Sequence, residues 1–194
     1  VIEDACHVIG GTLIDADGVE KPVGAGANAD ALSIFSFHPV KTITMGEGGA
    51  ITTNSPELAH AMRRFRTHGI TRETNEFQHK AAAFDADGSA NPWYGEQSEL
   101  GFNYRATDIS CALGLSQLAK LKRFVEHRAA LRARYVECLK PLAPRVMPMP
   151  VRPQGKPAWH LMVALIDFAA IGQSRATLMR KLAARSIGSQ VHYA

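Results

Sequence analysis

The sequence has 194 residues and a formal net charge of +4, and its composition is 46% hydrophobic and 21% charged. Such a composition is ordinary for a globular protein, and the length allows one domain or slightly more. The densest basic cluster, residues 120–134, is spaced like the solvated face of a helix, which argues against a nucleic-acid groove. No apolar run is long enough to span a membrane. We therefore expect neither a nucleic acid nor a membrane as partner, whereas small anionic ligands are compatible with the charge.

The cysteines and the chain ends indicate the compartment and the completeness of the chain. Cys6, Cys111 and Cys138 form no CxxC pair and no cluster with histidine, so no metal site is predicted. An odd cysteine count without a signal peptide favours free thiols in a reducing cytoplasm. The chain begins at Val1, without Met, and stops in residues 191–194, and both ends have strand character, whereas natural termini are polar and frayed. We expect an internal piece of a longer polypeptide.

The first part of the chain predicts three strands and one helix. Residues 1–4 have the pattern of the end of a buried strand, and residues 31–37 and 49–53 predict two more. Residues 10–30, rich in Gly, Ala and Asp, indicate a loop or hairpin.

The helix is predicted from its capping residues. Ser55 is the expected N-cap, Pro56 occupies the first helical position, and the helix should run to about His68 and stop at Gly69.

The middle of the chain predicts a long loop followed by a long helix. Residues 70–100 show no sustained period and contain the turn pairs Asp-Gly and Asn-Pro. From Thr107 the apolar spacing predicts one helix to about Leu139, with a possible kink around Gly114.

The last part indicates a boundary and a smaller unit. Six prolines in residues 141–157 favour an extended linker. Beyond it we expect a strand at 159–166, a helix at 174–186 with Gly188 just past it, and the start of a strand at 190–193. The predicted organisation is an α/β unit over residues 1–140, the linker, and the beginning of a small α+β domain over residues 158–194.

Lys41 is the first candidate for chemistry. It follows an apolar strand and the corner His38-Pro39, and it precedes a glycine-rich turn, residues 46–49, that allows close approach of a ligand. A lysine amine in a pocket loses its proton more easily and can attack a carbonyl to form an imine. The alternative is a lysine that caps a surface loop, and this segment alone leaves both possibilities open.

Asp4 is the second candidate, because it lies at the end of the first predicted strand. Ligands of open α/β sheets bind at the carboxyl ends of strands, so a carboxylate there can meet a cofactor. Enzymes that use pyridoxal phosphate (PLP) need such a carboxylate to keep the pyridine nitrogen protonated. A turn cap within Glu3-Asp4-Ala5 is the alternative.

Five segments in register resemble the DegT-type nucleotide-sugar aminotransferases. The match is strongest from residue 1 to about 135 and weaker to Tyr193. The segments are IEDACHVIGG (2–11), SFHPVK (36–41), GEGGAITTN (46–54), RTHG (66–69) and GFNYRATDI (101–109). The segment PWYGEQSELGFNYR (92–105) is most similar to those family members that aminate C4 of a UDP-linked 4-keto-6-deoxy-N-acetylhexosamine in pseudaminic acid biosynthesis, with glutamate as donor.

The resemblance implies a fold, a cofactor and roles for four residues. The fold is the large-domain portion of the aspartate-aminotransferase (type I PLP) fold plus the start of a smaller domain, and the cofactor is PLP. Asp4 would hold the pyridine nitrogen, and Ser36 would donate its hydroxyl to the phosphate. Lys41 would form the Schiff base and then shuttle the substrate proton. His7 matches a position near the ring hydroxyl, or is instead a buried histidine bonded to backbone.

The resemblance also implies a homodimer and a set of substrate contacts. Asn103 matches a residue that reaches the phosphate in the neighbouring subunit's site. Arg105 is a second interface contact or an ion pair with Asp108. The candidate substrate contacts of the loop and of the small domain are Trp93, Tyr94, His160 and His192.

Some features depart from the family pattern and two alternatives stay open. The family's preceding half, with its phosphate turn and an aromatic ring that stacks on PLP, is absent, and residues 4–41 and 71–89 are longer than usual.

A dehydratase of the same fold replaces the lysine with histidine, which Lys41 contradicts. A non-catalytic regulatory or scaffolding member is the other alternative, against which Asp4 and Lys41 stand together.

Overall fold

A computed structural model describes residues 1–25 and 31–191. Its strands are β1 (Ile2–Asp4), β2 (Thr12–Ile14), β3 (Glu20–Pro22), β4 (Leu32–Ser36), β5 (Gly49–Thr53), β6 (Ile70–Thr71), β7 (Glu96–Gln97), β8 (Val146–Pro148), β9 (Gly155–Lys156) and β10 (Ala164–Ile166). Its α-helices are α1 (Pro56–Arg66), α2 (Lys80–Ala83), α3 (Asp108–Leu118), α4 (Leu121–Leu139) and α5 (Arg175–Ala183). Two short 3-10 helices span Thr74–Glu76 and Lys140–Leu142.

The first sheet has the order β1-β4-β5 and confirms the three strands predicted near the start of the chain. β1 and β4 are parallel, with Asp4 opposite Ile34, and β5 is antiparallel to β4. Since parallel strands end at the same edge, Asp4 and Ser36 lie at one carboxyl edge. In the described residues β1 pairs with β4 and Ile2 is exposed, whereas the sequence predicts a buried strand there.

A second sheet joins distant parts of the chain in the order β3-β2-β9. Residues 10–30 are predicted as a loop or hairpin, and β2 and β3 form a hairpin there. β9 comes from the proline-rich segment and pairs with β2, Thr12 opposite Lys156. The Lys156 ammonium lies 2.6 Å from Glu20 Oε2, and the Thr12 hydroxyl donates to Glu20 Oε1 at 2.7 Å. The segment predicted as a linker therefore supplies a paired strand, and the domain boundary itself stays a prediction.

Helix α1 begins as its sequence predicts and ends slightly earlier. The Ser55 hydroxyl accepts from the backbone N–H of Leu58 at 3.2 Å, and Pro56 occupies the first turn. The helix ends at Arg66, and both His68 and Gly69 have positive φ angles. At Gly69 a Cβ atom would overlap the Glu99 carbonyl oxygen, so the stop needs glycine for space as well as for conformation.

The segment 70–100, predicted as a loop without structure, is ordered around a buried carboxylate. β6 pairs with β7, and α2 lies between them in the chain. Glu96 in β7 is only 6% exposed and its Oε2 accepts from the backbone N–H groups of Gln78 and His79 and from the Tyr94 hydroxyl. Phe77 packs edge-on against Tyr94. Hydrogen bonds to one buried carboxylate therefore order this segment, and they leave no regular spacing of apolar residues for a sequence pattern to detect.

The long helix predicted from Thr107 is two helices, and the kink at Gly114 is wrong. The break lies at Ala119 and Lys120, where the Lys120 N–H bonds to the carbonyl three residues back and tightens the turn. Gly114 lies inside α3, where a Cβ atom would come within 3.3 Å of the Met45 side chain. The glycine therefore lets α3 pack closely on the segment that follows Lys41.

The last part of the chain keeps its order of elements but with shorter strands. The strand predicted at 159–166 is reduced to β10, which pairs with β8, and the His160 carbonyl oxygen near its predicted start accepts from Arg128 of α4. Helix α5 is capped by Ser174 and ends before Ser186, whose φ is positive. The strand start predicted at 190–193 is not formed at Gln190 or Val191, and its other residues lie outside the described part. Within the described residues, no helix has the length and apolar character to cross a membrane.

Candidate active site

Asp4 is an exposed carboxylate held by the turn that follows it. It ends β1, and its Oδ1 accepts from the backbone N–H of Cys6 at 3.1 Å. The Cys6 thiol lies 3.7 Å from the Ile34 carbonyl oxygen and also interacts with the Asp4 carboxylate. Since the thiol has one proton, it serves one acceptor at a time. The predicted turn-cap contact is real, yet the carboxylate stays open to a ligand.

The neighbours of Asp4 keep it ionised. The Cys6 thiol, followed by the Cys6 backbone N–H, holds the pKa of the Asp4 carboxyl below its ordinary value of 3.8. Burial acts the other way, and the positive charges of His7 and Lys41 lower the pKa further. Burial and the adjacent carboxylate raise the pKa of the Cys6 thiol. Because charges shift a pKa mainly at short range, Asp4, His7 and Lys41 form one electrostatic cluster.

Ser36 and Lys41 are positioned by a closed loop at the same sheet edge. Ser36 is the last residue of β4, and its hydroxyl accepts from the His38 backbone N–H at 3.4 Å. The Lys41 N–H donates to the His38 carbonyl oxygen at 2.9 Å, which makes the corner predicted from Pro39. The loop closes where the Met45 N–H donates to the Phe37 carbonyl oxygen at 3.0 Å. Lys41 is half-buried, unlike a solubilising surface lysine.

His7 and His160 meet although 153 positions separate them in the chain. Their ring centroids are 4.3 Å apart. Arg128 of α4 holds this contact from behind, since its Nη1 donates to the His160 carbonyl oxygen at 2.8 Å. The predicted small-domain histidine therefore lies beside the Asp4 turn.

The remaining predicted residues lie elsewhere. Tyr94 anchors its loop through Glu96, whereas Trp93 is 76% exposed. Asn103 forms an isolated bridge with Thr67, and among the described residues no hydrogen bond or ring contact joins it to Asp4, Ser36 or Lys41.

Two further predicted residues add nothing to this cluster. Arg105 is exposed, and in the described part of the chain no ion pair links it to Asp108. His192 lies outside the described residues.

A cleft of about 460 Å³ lies between the lysine loop and α4. Its polar lining consists of Lys41, Thr42, Thr44, Gln117, His127 and Arg128. Its apolar lining consists of Pro39, Ile43, Phe124 and Leu131.

The sequence pattern does not predict the α4 side of this cleft, because the basic residues of 120–134 have the spacing of a solvated helix face. Arg128 and Arg132 follow Phe124 at four-residue spacing, so all three share one helix face. The two arginines are half-buried. The four-residue spacing of Phe124, Arg128 and Arg132 is the sequence signal that indicates this helix face.

Comparisons with known proteins agree on one family and fold. The sequence model of the DegT/DnrJ/EryC1/StrS aminotransferase family matches residues 1–194. The protein MJ1066 of Methanocaldococcus jannaschii, described as uncharacterized, is 32% identical over 193 residues, which is all of this chain and 45% of that protein.

Solved structures extend the likeness. Helicobacter pylori PseC, an aminotransferase involved in the biosynthesis of pseudoaminic acid, superposes with a TM-score of 0.79 at 30% identity over all of this chain and 45% of its own. DesV of S. venezuelae gives 0.74 at 28% identity over 99% of this chain and 42% of its own. Spr1654 of Streptococcus pneumoniae in its PLP form superposes with a TM-score of 0.75 at 24% identity over 99% of this chain and 43% of its own.

The chain therefore spans 42–45% of the length of these relatives. The predicted fold, a mixed α/β portion of a PLP-dependent aminotransferase, is confirmed.

Proposed function

Because the chain belongs to the DegT/DnrJ/EryC1/StrS aminotransferase family, we propose that the whole protein transfers an amino group from glutamate to a nucleotide sugar. The acceptor is C4 of a UDP-linked 4-keto-6-deoxy-N-acetylhexosamine, in synthesis of the pseudaminic acid type. The likeness to H. pylori PseC supports this acceptor. The observation that carries the proposal is the meeting of Asp4, His7 and Lys41 in one charged cluster at the sheet edge where Ser36 ends β4.

The residues at this edge fit pyridoxal phosphate, which the family and its neighbour in PLP form imply. Asp4 is exposed and keeps its charge, as a partner of a protonated ring nitrogen must. Ser36 would hold the phosphate through its hydroxyl, and His7 would lie beside the ring hydroxyl. When bound, the cofactor supplies an electron sink for the substrate carbon.

The chain's own groups would have three tasks. Asp4 would keep the proton on the ring nitrogen by its negative charge. The Lys41 amine would hold the cofactor covalently and, when free, would move the proton at the reacting carbon. His160, held against His7, would line the acceptor side together with Trp93 from the 70–100 segment.

The setting of the enzyme is part of the proposal. We place it in the cytoplasm, because all three cysteines are free, as a reducing compartment would leave them. A homodimer is proposed because Asn103 is separate from the cluster of its own chain.

Borohydride reduction of the full-length protein with PLP tests the cofactor assignment. The label should map to Lys41, and Lys41→Ala should abolish both the label and the visible band of the bound cofactor while the fold stays intact. A label on another lysine would overturn the assignment. Turnover of UDP-4-keto sugars with glutamate, with the aminated carbon identified by NMR, tests the acceptor, and amination at a carbon other than C4 would contradict it.

A further inference from the structure

The cleft between the lysine loop and α4 combines positive charge with an apolar wall. Arg128 is the cation of the cleft that stays charged when the Lys41 amine is linked to the cofactor, and Gln117 and His127 add further polar groups. None of the described lining residues is acidic. At about 460 Å³, the cleft has the volume of a small-molecule site. Its field therefore attracts a small anion.

Arg128 is held in a fixed orientation. It is half-buried, and its Nη1 donates to the His160 carbonyl oxygen at 2.8 Å. A guanidinium has five N–H donors, so this single bond orients the group and leaves others for a ligand. Arginine binds carboxylates with two parallel hydrogen bonds, which are stronger than bonds between neutral groups.

Thr42 gives a second and independent sign of a ligand. It follows Lys41, lines the same cleft and is 5% exposed. Its Oγ1 is buried and has no hydrogen-bond partner among the described residues. A buried hydroxyl without a partner costs free energy, and a polar group bound in the cleft would relieve that cost.

We propose that this cleft binds the carboxylate of the amino-acid donor, with Arg128 as its cationic partner. The inference rests on the proposed function and names a subsite of that reaction. In an amino acid, the carboxylate and the amino group share one carbon, so the carboxylate must bind close to Lys41, where the amino group reacts. Ile43 and Phe124 then face the methylene groups of the donor.

The alternative anion, the diphosphate of the nucleotide sugar, suits this place less well. It is attached to C1, across the hexose ring from a keto carbon at C4. With the keto carbon beside Lys41, the diphosphate lies a full sugar away from the wall that carries Thr42.

Calorimetric titration of the full-length holoenzyme tests the site with two probes. Glutarate has the donor's carboxylates but no amine, so its heat reports binding without reaction, and UDP reports the nucleotide site. Arg128→Gln should weaken glutarate binding about 10- to 100-fold and leave UDP unchanged. Arg128→Lys keeps the charge but loses the planar fork, so it should fall in between.

Arg132→Gln is the matched control. Arg132 lies one turn further along α4, and its Nη2 donates to the Met149 carbonyl oxygen at 2.8 Å, yet it does not line the cleft. Both probes should bind this variant as they bind the wild type.

Three results would overturn the proposal. They are unchanged glutarate binding in Arg128→Gln, an equal loss in Arg132→Gln, and a loss of UDP binding in place of glutarate binding. Should Arg128→Gln fail to fold by circular dichroism, Arg128→Lys decides by the same comparison. A protein that takes up no PLP contradicts the proposed function, and the same titration of the cofactor-free protein still decides the anion site.

Discussion

At the scale of the residue, the side chain with the most distinctive surroundings is Asp4. The Cys6 thiol and backbone N–H stabilise its negative charge from one side, and His7 and Lys41 do so from the other. Its pKa in the folded protein is below the ordinary 3.8, so the stabilisation is complete above that value and is lost only as the pH falls through the lowered pKa. The carboxylate is therefore charged throughout the neutral range.

We expect Asp4→Asn to reduce turnover on the order of 100-fold while PLP affinity falls far less. An amide cannot keep the ring nitrogen protonated by charge, although it keeps most of the contacts. Single-turnover kinetics and a PLP titration of the same sample separate the two effects. Asp17→Asn, an exposed change in the β2–β3 hairpin, should leave both unchanged. Equal losses of affinity and rate would mean that Asp4 is only a turn cap.

At the scale of the element, the 70–100 segment depends on Glu96. Burial opposes its ionisation, but the backbone N–H groups of Gln78 and His79 and the Tyr94 hydroxyl outweigh burial, and the pKa lies below the ordinary 4.5. The stabilisation is thus present above pH 4.5 and is lost as the pH falls through the lowered pKa. Trp93 is presented to solvent by this same segment.

Glu96→Gln should make the segment open more often, because an amide cannot replace a charged acceptor of three hydrogen bonds. Hydrogen–deuterium exchange of peptides from residues 72–98 should speed up about tenfold or more at neutral pH. The wild type should approach the variant in acid, where Glu96 becomes protonated. Glu73→Gln, at an exposed glutamate of the same segment, is the control. Unchanged exchange in Glu96→Gln would show that packing around Phe77 alone orders the segment.

The elements also show which features the sequence could predict. Local signals succeeded: the Ser55-Pro56 start of α1, the strand before Lys41 and the hairpin after Asp4 each depend on neighbouring residues. The structure of the 70–100 segment could not be predicted from local signals, because its organising contact joins Glu96 to residues 17 and 18 positions away. The position of the break between α3 and α4 was predicted wrongly, because Gly114 indicates a weak point in a helix, whereas in the structure it provides room for Met45.

At the scale of the whole molecule, the predicted site residues fall into two groups. Asp4, Lys41, His7 and His160 converge, and the strand signals together with the motif order predicted the first two as a pair. Asn103 stands apart, next to the exposed apolar side chains of Phe102, Tyr104 and Ile109. The rings of Phe102 and Tyr104 stack on each other, and exposed apolar side chains that lie together are typical of an interface. The proposed action of Asn103 on the neighbouring subunit rests on the family resemblance, because no local sequence pattern distinguishes the two chains of a dimer.

Mixed dimers test whether Asn103 acts on the neighbouring subunit. In a dimer of one Lys41→Ala chain and one Asn103→Ala chain, action in trans puts both lesions in one site and leaves the other site wild type. Random exchange of two poorly active homodimers should then restore about a quarter of the wild-type sites, measured as turnover. If Asn103 served its own chain, each site would carry one lesion and no activity would return. A monomer that turns over would contradict the idea directly.

The pairing of β2 with β9 has a consequence for biosynthesis. The hairpin of β2 and β3 is complete at Pro22, but its partner, Gly155–Lys156, is translated about 130 residues later. At a translation rate of about 5–20 residues per second, the edge of β2 stays unpaired for roughly 7 to 26 s before β9 is synthesised. During that interval Leu13 and Glu20 lack their final neighbours. Slower translation between these two points prolongs the exposure, and a nascent chain that stalls before Lys156 cannot close this sheet.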